Sequence, residues 1–242
     1  MTNENKNWVE RWLDENKDHG LPVTGFEVTA ERTAVVVTDP QNDFLHPDGV
    51  AWGVCGESAT ENNTVENLGR LMNTAIQTGM QLVISPHYYY PTDHGWKFEG
   101  TLEKLMHHIH MFDRKGALNL EGFEGSGADW MEEFKPAINN EKTIICNPHK
   151  VYGPENNDLV LQLQKQKVEK VILAGMSANL CVESHLRELI ERGFEVVVAA
   201  DATAAAKVPG LNGMLAALIN FRMIASDIWT TSQAVENMIA AT

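Results

Sequence analysis

Long apolar runs are missing from this chain. None approaches the roughly 20 residues that a membrane-spanning helix needs, so no membrane association is expected. Basic residues are scarce. Lys and Arg number 19 against 33 Asp and Glu, a net charge of −14, and no basic stripe offsets it. That argues against nucleic acid as a partner and gives no long-range attraction for an anionic substrate. Cysteine is sparse as well: Cys55, Cys146 and Cys181 stand at unrelated spacings without a CxxC pair. Neither a disulfide framework nor a zinc ribbon is indicated. Residues 1–6 are polar and no apolar segment follows them, so a secretory leader is not expected and a cytoplasmic location is. A glycine-rich phosphate loop is also absent, because residues 175–181 contain a single glycine.

What is present is an ordinary globular composition, 43% hydrophobic and 21% charged over 242 residues, enough for one large α/β domain. β-Branched or apolar runs predict strands at 33–38, 81–85, 143–146, 170–174, 195–199 and 223–225. Helical spacing of apolar residues predicts helices at 60–79, 129–134, 158–166, 181–192, 211–221 and 231–241, with a helical patch at 102–110. Strands that alternate with helices imply a mostly parallel sheet covered on both faces, a three-layer α/β/α fold with six central strands. Residues 33–242 form this domain. Residues 1–32 form an N-terminal arm whose Trp8, Val9, Trp12 and Leu13 share one helical face. The arm packs either on its own domain or on a neighbouring subunit. The long irregular stretch 86–127 has the length of a functional loop or lid.

In such sheets ligands bind beyond the carboxyl ends of the strands. Asp39 follows the first strand and His87 the second. Asn147, His149 and Lys150 follow the third, Cys181 the fourth and Asp201 the fifth. Cys181 stands where a strand turns into a helix, and a helix N-terminus favours a thiolate. The alternative is a buried structural cysteine. With Asp39 to take the thiol proton and Lys150 to oppose negative charge, the three can carry out covalent acyl transfer. Backbone N–H groups between Ser177 and Cys181 would serve as an oxyanion hole.

The order Asp, Lys, Cys, together with the runs Val35-Val36-Val37-Thr38-Asp39-Pro40-Gln41-Asn42-Asp43-Phe44, Gly175-Met176-Ser177-Ala178-Asn179-Leu180-Cys181 and Asp201-Ala202-Thr203, resembles the isochorismatase-like cysteine hydrolases from about Thr33 to the C-terminus. That family includes nicotinamidases, ureido and N-carbamoyl amidohydrolases, and isochorismatases, on a six-stranded parallel sheet. The resemblance implies Cys181 as nucleophile, Asp39 as general base and acid, and Lys150 as third member, with Asn147 competing for the lysine position. It also implies a cis peptide at Met176–Ser177, an oxyanion hole from Ser177, Ala178 and Cys181, and a dimer or tetramer.

Nicotinamidases of that family place metal ligands after the second strand. Here His87 stands near the place of the usual Asp and a tyrosine at that of the first His; only His94 matches. No metal and no other cofactor are therefore expected, the alternative being a rebuilt site using His87, Asp93 and His94, with His107, His108 or His110 as further ligands. Phe44, Trp52, His87, Tyr88, Tyr89 and Tyr152 are candidates for the pocket wall, suiting a small planar amide. Trp52 and the tyrosines also suit subunit contacts. The expected function is hydrolysis of a C–N bond in a small molecule. The alternatives are vinyl ether hydrolysis, which some relatives perform without the cysteine, and a binding scaffold that kept the fold.

Overall fold

The computed structural model describes residues 6–17, 19–22 and 24–242; residues 1–5, 18 and 23 of the expected arm lie outside the described residues. In chain order the first elements are α1 (Trp8–Glu15), β1 (Thr33–Thr38), α2 (Asn42–Leu45), α3 (Trp52–Glu61), α4 (Thr64–Thr78), β2 (Gln81–Ser85), α5 (Thr101–His108), α6 (Lys135–Ile138) and β3 (Ile144–Ile145). There follow α7 (Leu159–Lys165), β4 (Lys170–Gly175), α8 (Glu183–Glu191), β5 (Glu195–Thr203), the short hairpin β6 (Lys207–Val208) and β7 (Leu211–Asn212), α9 (Gly213–Ile224), β8 (Asp227–Trp229) and α10 (Thr231–Ala240).

The central sheet has the order β3-β2-β1-β4-β5-β8, and every pairing in it is parallel. Side chains alternate across it. Val35 and Val37 of β1 face one core with Leu68, Leu71 and Met72 of α4 and Met238 of α10. Ala34 and Val36 face the other, with Leu163 of α7, Leu186 and Leu189 of α8, and Phe221 of α9. Because both faces are covered, the strands read as continuous apolar runs. The winding reverses between β1 and β4, the crevice where parallel sheets bind ligands.

The arm packs on its own domain. Val9 is fully buried in the second core, Trp8, Trp12 and Leu13 lie against that core, and the Asn7 amide donates to Asp201 at 3.1 Å. The sixth strand is β8, not residues 223–225, which close α9. A short apolar run fits either element, and here the α9 ladder carries Met223 and Ile224 to the helix end. The α3 helix has no clear amphipathic stripe, and Gly53 and Gly56 weaken its propensity.

Gly175 closes β4 at φ 115°, and a Cβ there would lie 2.1 Å from the Thr38 carbonyl oxygen. The ends of β1 and β4 are joined at this close approach: Met176 N–H donates to Thr38 O at 3.0 Å, and Thr38 Oγ1 donates to Met176 O at 2.9 Å. Gly175→Ala is expected to destabilise the fold by about 3 kcal/mol or more, read as a fall in the urea midpoint, because backbone on the opposite strand cannot yield.

Candidate active site

Asp39 follows β1 with φ 45°, a left-handed conformation that Asp tolerates better than most residues. Its N–H donates to Ser85 O at the end of β2, at 3.1 Å. This kink turns the carboxylate inward. Cys181 follows β4 within the π-helical turn Ala178–Val182, after a cis peptide at Met176–Ser177. The cysteine therefore precedes α8 instead of opening it, and its carbonyl accepts from His185 Nδ1 at 2.7 Å.

Asp39, His87, His149 and Cys181 are all buried, and one polar atom from each lies within 4.8 Å of the others. His149 Nε2 is 2.8 Å from Asp39 Oδ1, with both side chains fully enclosed. An ionised carboxylate only accepts, so the Nε2 nitrogen carries the proton. Two buried atoms of the pair, Asp39 Oδ2 and His149 Nδ1, have no hydrogen-bond partner among the described residues.

The sulfur is held as a thiol. Burial and, after it, the adjacent charge of Asp39 push the Cys181 pKa well up, against the pull of the Ser177 and Cys181 backbone N–H groups. The thiolate expected from a helix terminus is thus not the resting state, because desolvation and the adjacent carboxylate outweigh the backbone donors. The imidazoles of His87 and His185 are neutral as well. Burial is the largest cause lowering His87 well below its ordinary range, and it brings His185 to about 3. His185 is satisfied in that form: Nδ1–H donates to Cys181 O, and Nε2 accepts from Ser85 Oγ at 2.8 Å.

Lys150 does not meet Asp39. Its Nζ donates to Asp93 Oδ2 at 2.6 Å and to Tyr88 O at 2.7 Å, and it lies 3.6 Å from the centroid of the Tyr90 ring. Asn147 is exposed, its N–H bound to Asp158. The place beside Asp39 belongs to His149, which stood on the rim of the sheet in the sequence but offered no signal separating it from its neighbours. The reason is one of register. Ile84 pairs with Ile145, whereas His87 pairs with His149, so one extra residue has entered beyond β3. A slip of one residue reverses which side chain faces inward.

Ala178 N–H is engaged with Ala204 O at 2.8 Å, which removes it from the expected set of oxyanion donors. The N–H groups of Ser177 and Cys181 are the ones that pull the Cys181 pKa down. Trp52 lines a separate cavity of about 750 Å³ with Asn63, Arg70 and Val235, none of them in the buried cluster. Tyr89 is fully buried among the rings of His87, Trp96 and His107. Tyr88 lies on Trp130 and Phe123 beneath the Arg114 guanidinium, and Phe44 lies on Phe112. Tyr152 is half-buried, and burial, with Glu103 after it, raises its phenol.

The segment after β2 covers the end of β1. Asn42 N–H donates to Asp129 O, Asp43 N–H to Gly127 O, and Phe112 N–H to Asp43 Oδ2 at 2.6 Å. Cys181 is only 4% exposed. The residues at the nicotinamidase metal positions do not form that metal set, because His87 belongs to the buried cluster and a tyrosine carries no ligating nitrogen; Asp93, of the rebuilt alternative, is bound to Lys150.

No helix among the described residues is long and apolar enough to cross a membrane. In comparisons with known proteins, the uncharacterised isochorismatase family protein YecD of Escherichia coli O157:H7 is 40% identical over 58 residues, 24% of this chain and 31% of that protein. Ureidoacrylate amidohydrolase RutB of Methylorubrum extorquens is 25% identical over 191 residues, 75% of this chain and 73% of the relative. A crystal structure of a cysteine hydrolase from Pseudomonas syringae pv. phaseolicola shares the fold with a TM-score of 0.73 and 21% identity, covering 92% of this chain and 99% of that one. The Isochorismatase domain matches residues 33–226, from the first residue of β1 to the residue before β8. That span carries both sides of the crevice between β1 and β4, and the chain belongs to the isochorismatase family of hydrolases.

Proposed function

We propose that this chain hydrolyses a C–N bond of a small amide, ureide or carbamoyl compound through a thioester on Cys181. The observation that carries this reading is the convergence of the Cys181 thiol and the Asp39 carboxylate, both buried, at the crevice between β1 and β4. A thiol held well above its ordinary pKa attacks only if its proton leaves at the same time. Asp39 takes that proton as Sγ bonds to the substrate carbonyl carbon. Ser177 and Cys181 N–H groups receive the developing oxyanion. The C–N bond then breaks, Asp39 returns the proton to the leaving nitrogen, and water hydrolyses the thioester with Asp39 as base. His149 is a positioning residue: its Nε2–H holds Oδ1 and leaves Oδ2 for the thiol proton. Phe44, His87, Tyr88 and Tyr152 stand around this centre as pocket groups. The amidohydrolase named among the relatives supports the choice of bond.

The test is ammonia release across a panel of amides, ureides and carbamoyl compounds, with mass spectrometry of the quenched protein. Turnover of one member, its loss in Cys181→Ala with the fold intact, and an acyl adduct on Cys181 are expected. Silence across the panel, or activity surviving in Cys181→Ala, would overturn the proposal.

A further inference from the structure

A second cluster, outside the buried one, lies beyond β2. His94 Nε2 is 2.7 Å from Asp113 Oδ1, and His110 Nδ1 is 2.8 Å from Asp113 Oδ2. All three ligating atoms lie within 4.8 Å of one another. We propose that His94, His110 and Asp113 bind a divalent transition-metal ion of the zinc class. Two imidazole nitrogens and one carboxylate form a borderline-soft donor set suited to such ions.

The three side chains are presented by pinned backbone. His94 sits in the 3-10 turn Asp93–Gly95. Asp113 is bridged to Tyr89, with Arg114 N–H donating to Tyr89 O at 2.8 Å and Tyr89 N–H to Phe112 O at 3.1 Å. His110 and Phe112 take left-handed backbone at φ 57° and 60°, which folds His110 back beside Asp113. The cluster borders a cavity of about 470 Å³ that Arg114, Asn119 and Phe123 also line, leaving room for a further ligand on the ion.

His107 is an independent observation. It is 8% exposed, its ring lies 4.5 Å from that of His94, and its buried Nε2 has no hydrogen-bond partner. Its Nδ1 is 2.5 Å from Glu99 Oε1. A carboxylate on one ring nitrogen leaves the lone pair on the other, the arrangement seen in metal-ligating histidines. His107 thus stands against His94 with an open ring nitrogen, outside the set of three mutually close ligand atoms.

This set shares only His94 with the nicotinamidase pattern, and it contains no thiolate. It is joined to the active site through packed rings: His94 to His107 at 4.5 Å, His107 to Tyr89 at 4.3 Å, Tyr89 to His87 at 4.7 Å and His87 to His149 at 4.7 Å. An ion at the outer end would fix the segment that packs against His87, a structural part and not a chemical one.

Calorimetric titration of the full chain, free of any histidine tag and stripped by chelator, with Zn(II) and with Co(II) tests this. One ion per chain is expected. His94→Ala and Asp113→Ala should each weaken binding by more than about tenfold. His110→Ala, at a position whose side chain is 76% exposed, should do the same without disturbing the fold. Cys181→Ala should leave binding unchanged, and the cobalt complex should lack a thiolate charge-transfer band. Absence of saturable binding overturns the proposal. So does binding that survives all three alanine variants, or that shows the thiolate band and disappears in Cys181→Ala. None of these outcomes depends on turnover, so the reading of Cys181 and Asp39 as the catalytic pair is tested separately.

Discussion

Asp39→Asn is expected to lower kcat by about 10²- to 10⁴-fold, the usual worth of a positioned general base, with little change in KM. The amide keeps the shape of the carboxylate but cannot take the thiol proton. Alkylation of Cys181 by iodoacetamide at neutral pH separates this role from a mere effect on the thiol. The charge of Asp39 is one of the causes that hold the Cys181 pKa up, so removing it should leave alkylation as fast or faster while turnover collapses. Parallel loss of both would show that Asp39 acts by maintaining the fold. His149→Ala should fall between wild type and Asp39→Asn, because Asp39 Oδ1 loses its buried donor. Lys150→Met should keep the chemical step within about tenfold, an electrostatic effect weakened by its half-exposed position. Its partner is Asp93, outside the buried cluster. A Lys150→Met enzyme as dead as Asp39→Asn would restore the lysine to the catalytic set.

Urea unfolding should reveal marked acid lability below pH ~6.5, the ordinary histidine pKa. His185 is fully buried, and its folded pKa is about 3. Between those two values the unfolded chain binds a proton that the native one refuses. Stability is therefore complete above pH ~6.5 and falls as the pH drops, by up to about 1.4 kcal/mol per unit. At pH 5 the loss from His185 is on the order of 2 kcal/mol. His87, also depressed, adds to the same slope. Protonation breaks a particular arrangement: Nε2 of His185 accepts from Ser85, whose Oγ in turn accepts from Asn157 at 3.0 Å. His185→Gln should reduce the dependence on pH, and an unchanged slope in that variant would refute the assignment.

Much of this was legible in one dimension. The run Thr33–Thr38 is apolar on both sides of the pleat because both faces of β1 are covered, and that is a local signature of a buried parallel strand. Asp39 and Cys181 were readable because each directly follows such a run, and the topology of alternating strands and helices brings their ends to one rim. The edge strand β8 was not, because its three residues carry too little pattern to compete with the end of α9. Trp52 failed as a pocket residue for a similar reason: following β1 in sequence does not say on which side of α3 a side chain emerges.

The resting state of the sulfur also escaped the sequence. A strand-to-helix position suggests a lowered pKa, but deep burial and the adjacent carboxylate act in the opposite direction and are stronger. Burial of that degree is a property of the cover formed by the segment after β2, whose hydrogen bonds to Asn42 and Asp43 no local pattern announces.

The sequence by itself determined the architecture, the nucleophile candidate and the acid that faces it, because these rest on periodicity and on order along the chain. Tertiary structure decided which residue stands third. Lys150 and His149 are adjacent, and a single inserted residue between the Ile84–Ile145 and His87–His149 pairings turns one outward to Asp93 and the other inward to Asp39. The side-chain period of an extended strand is two residues, so a choice between neighbours depends on register, and register is fixed only where strands meet.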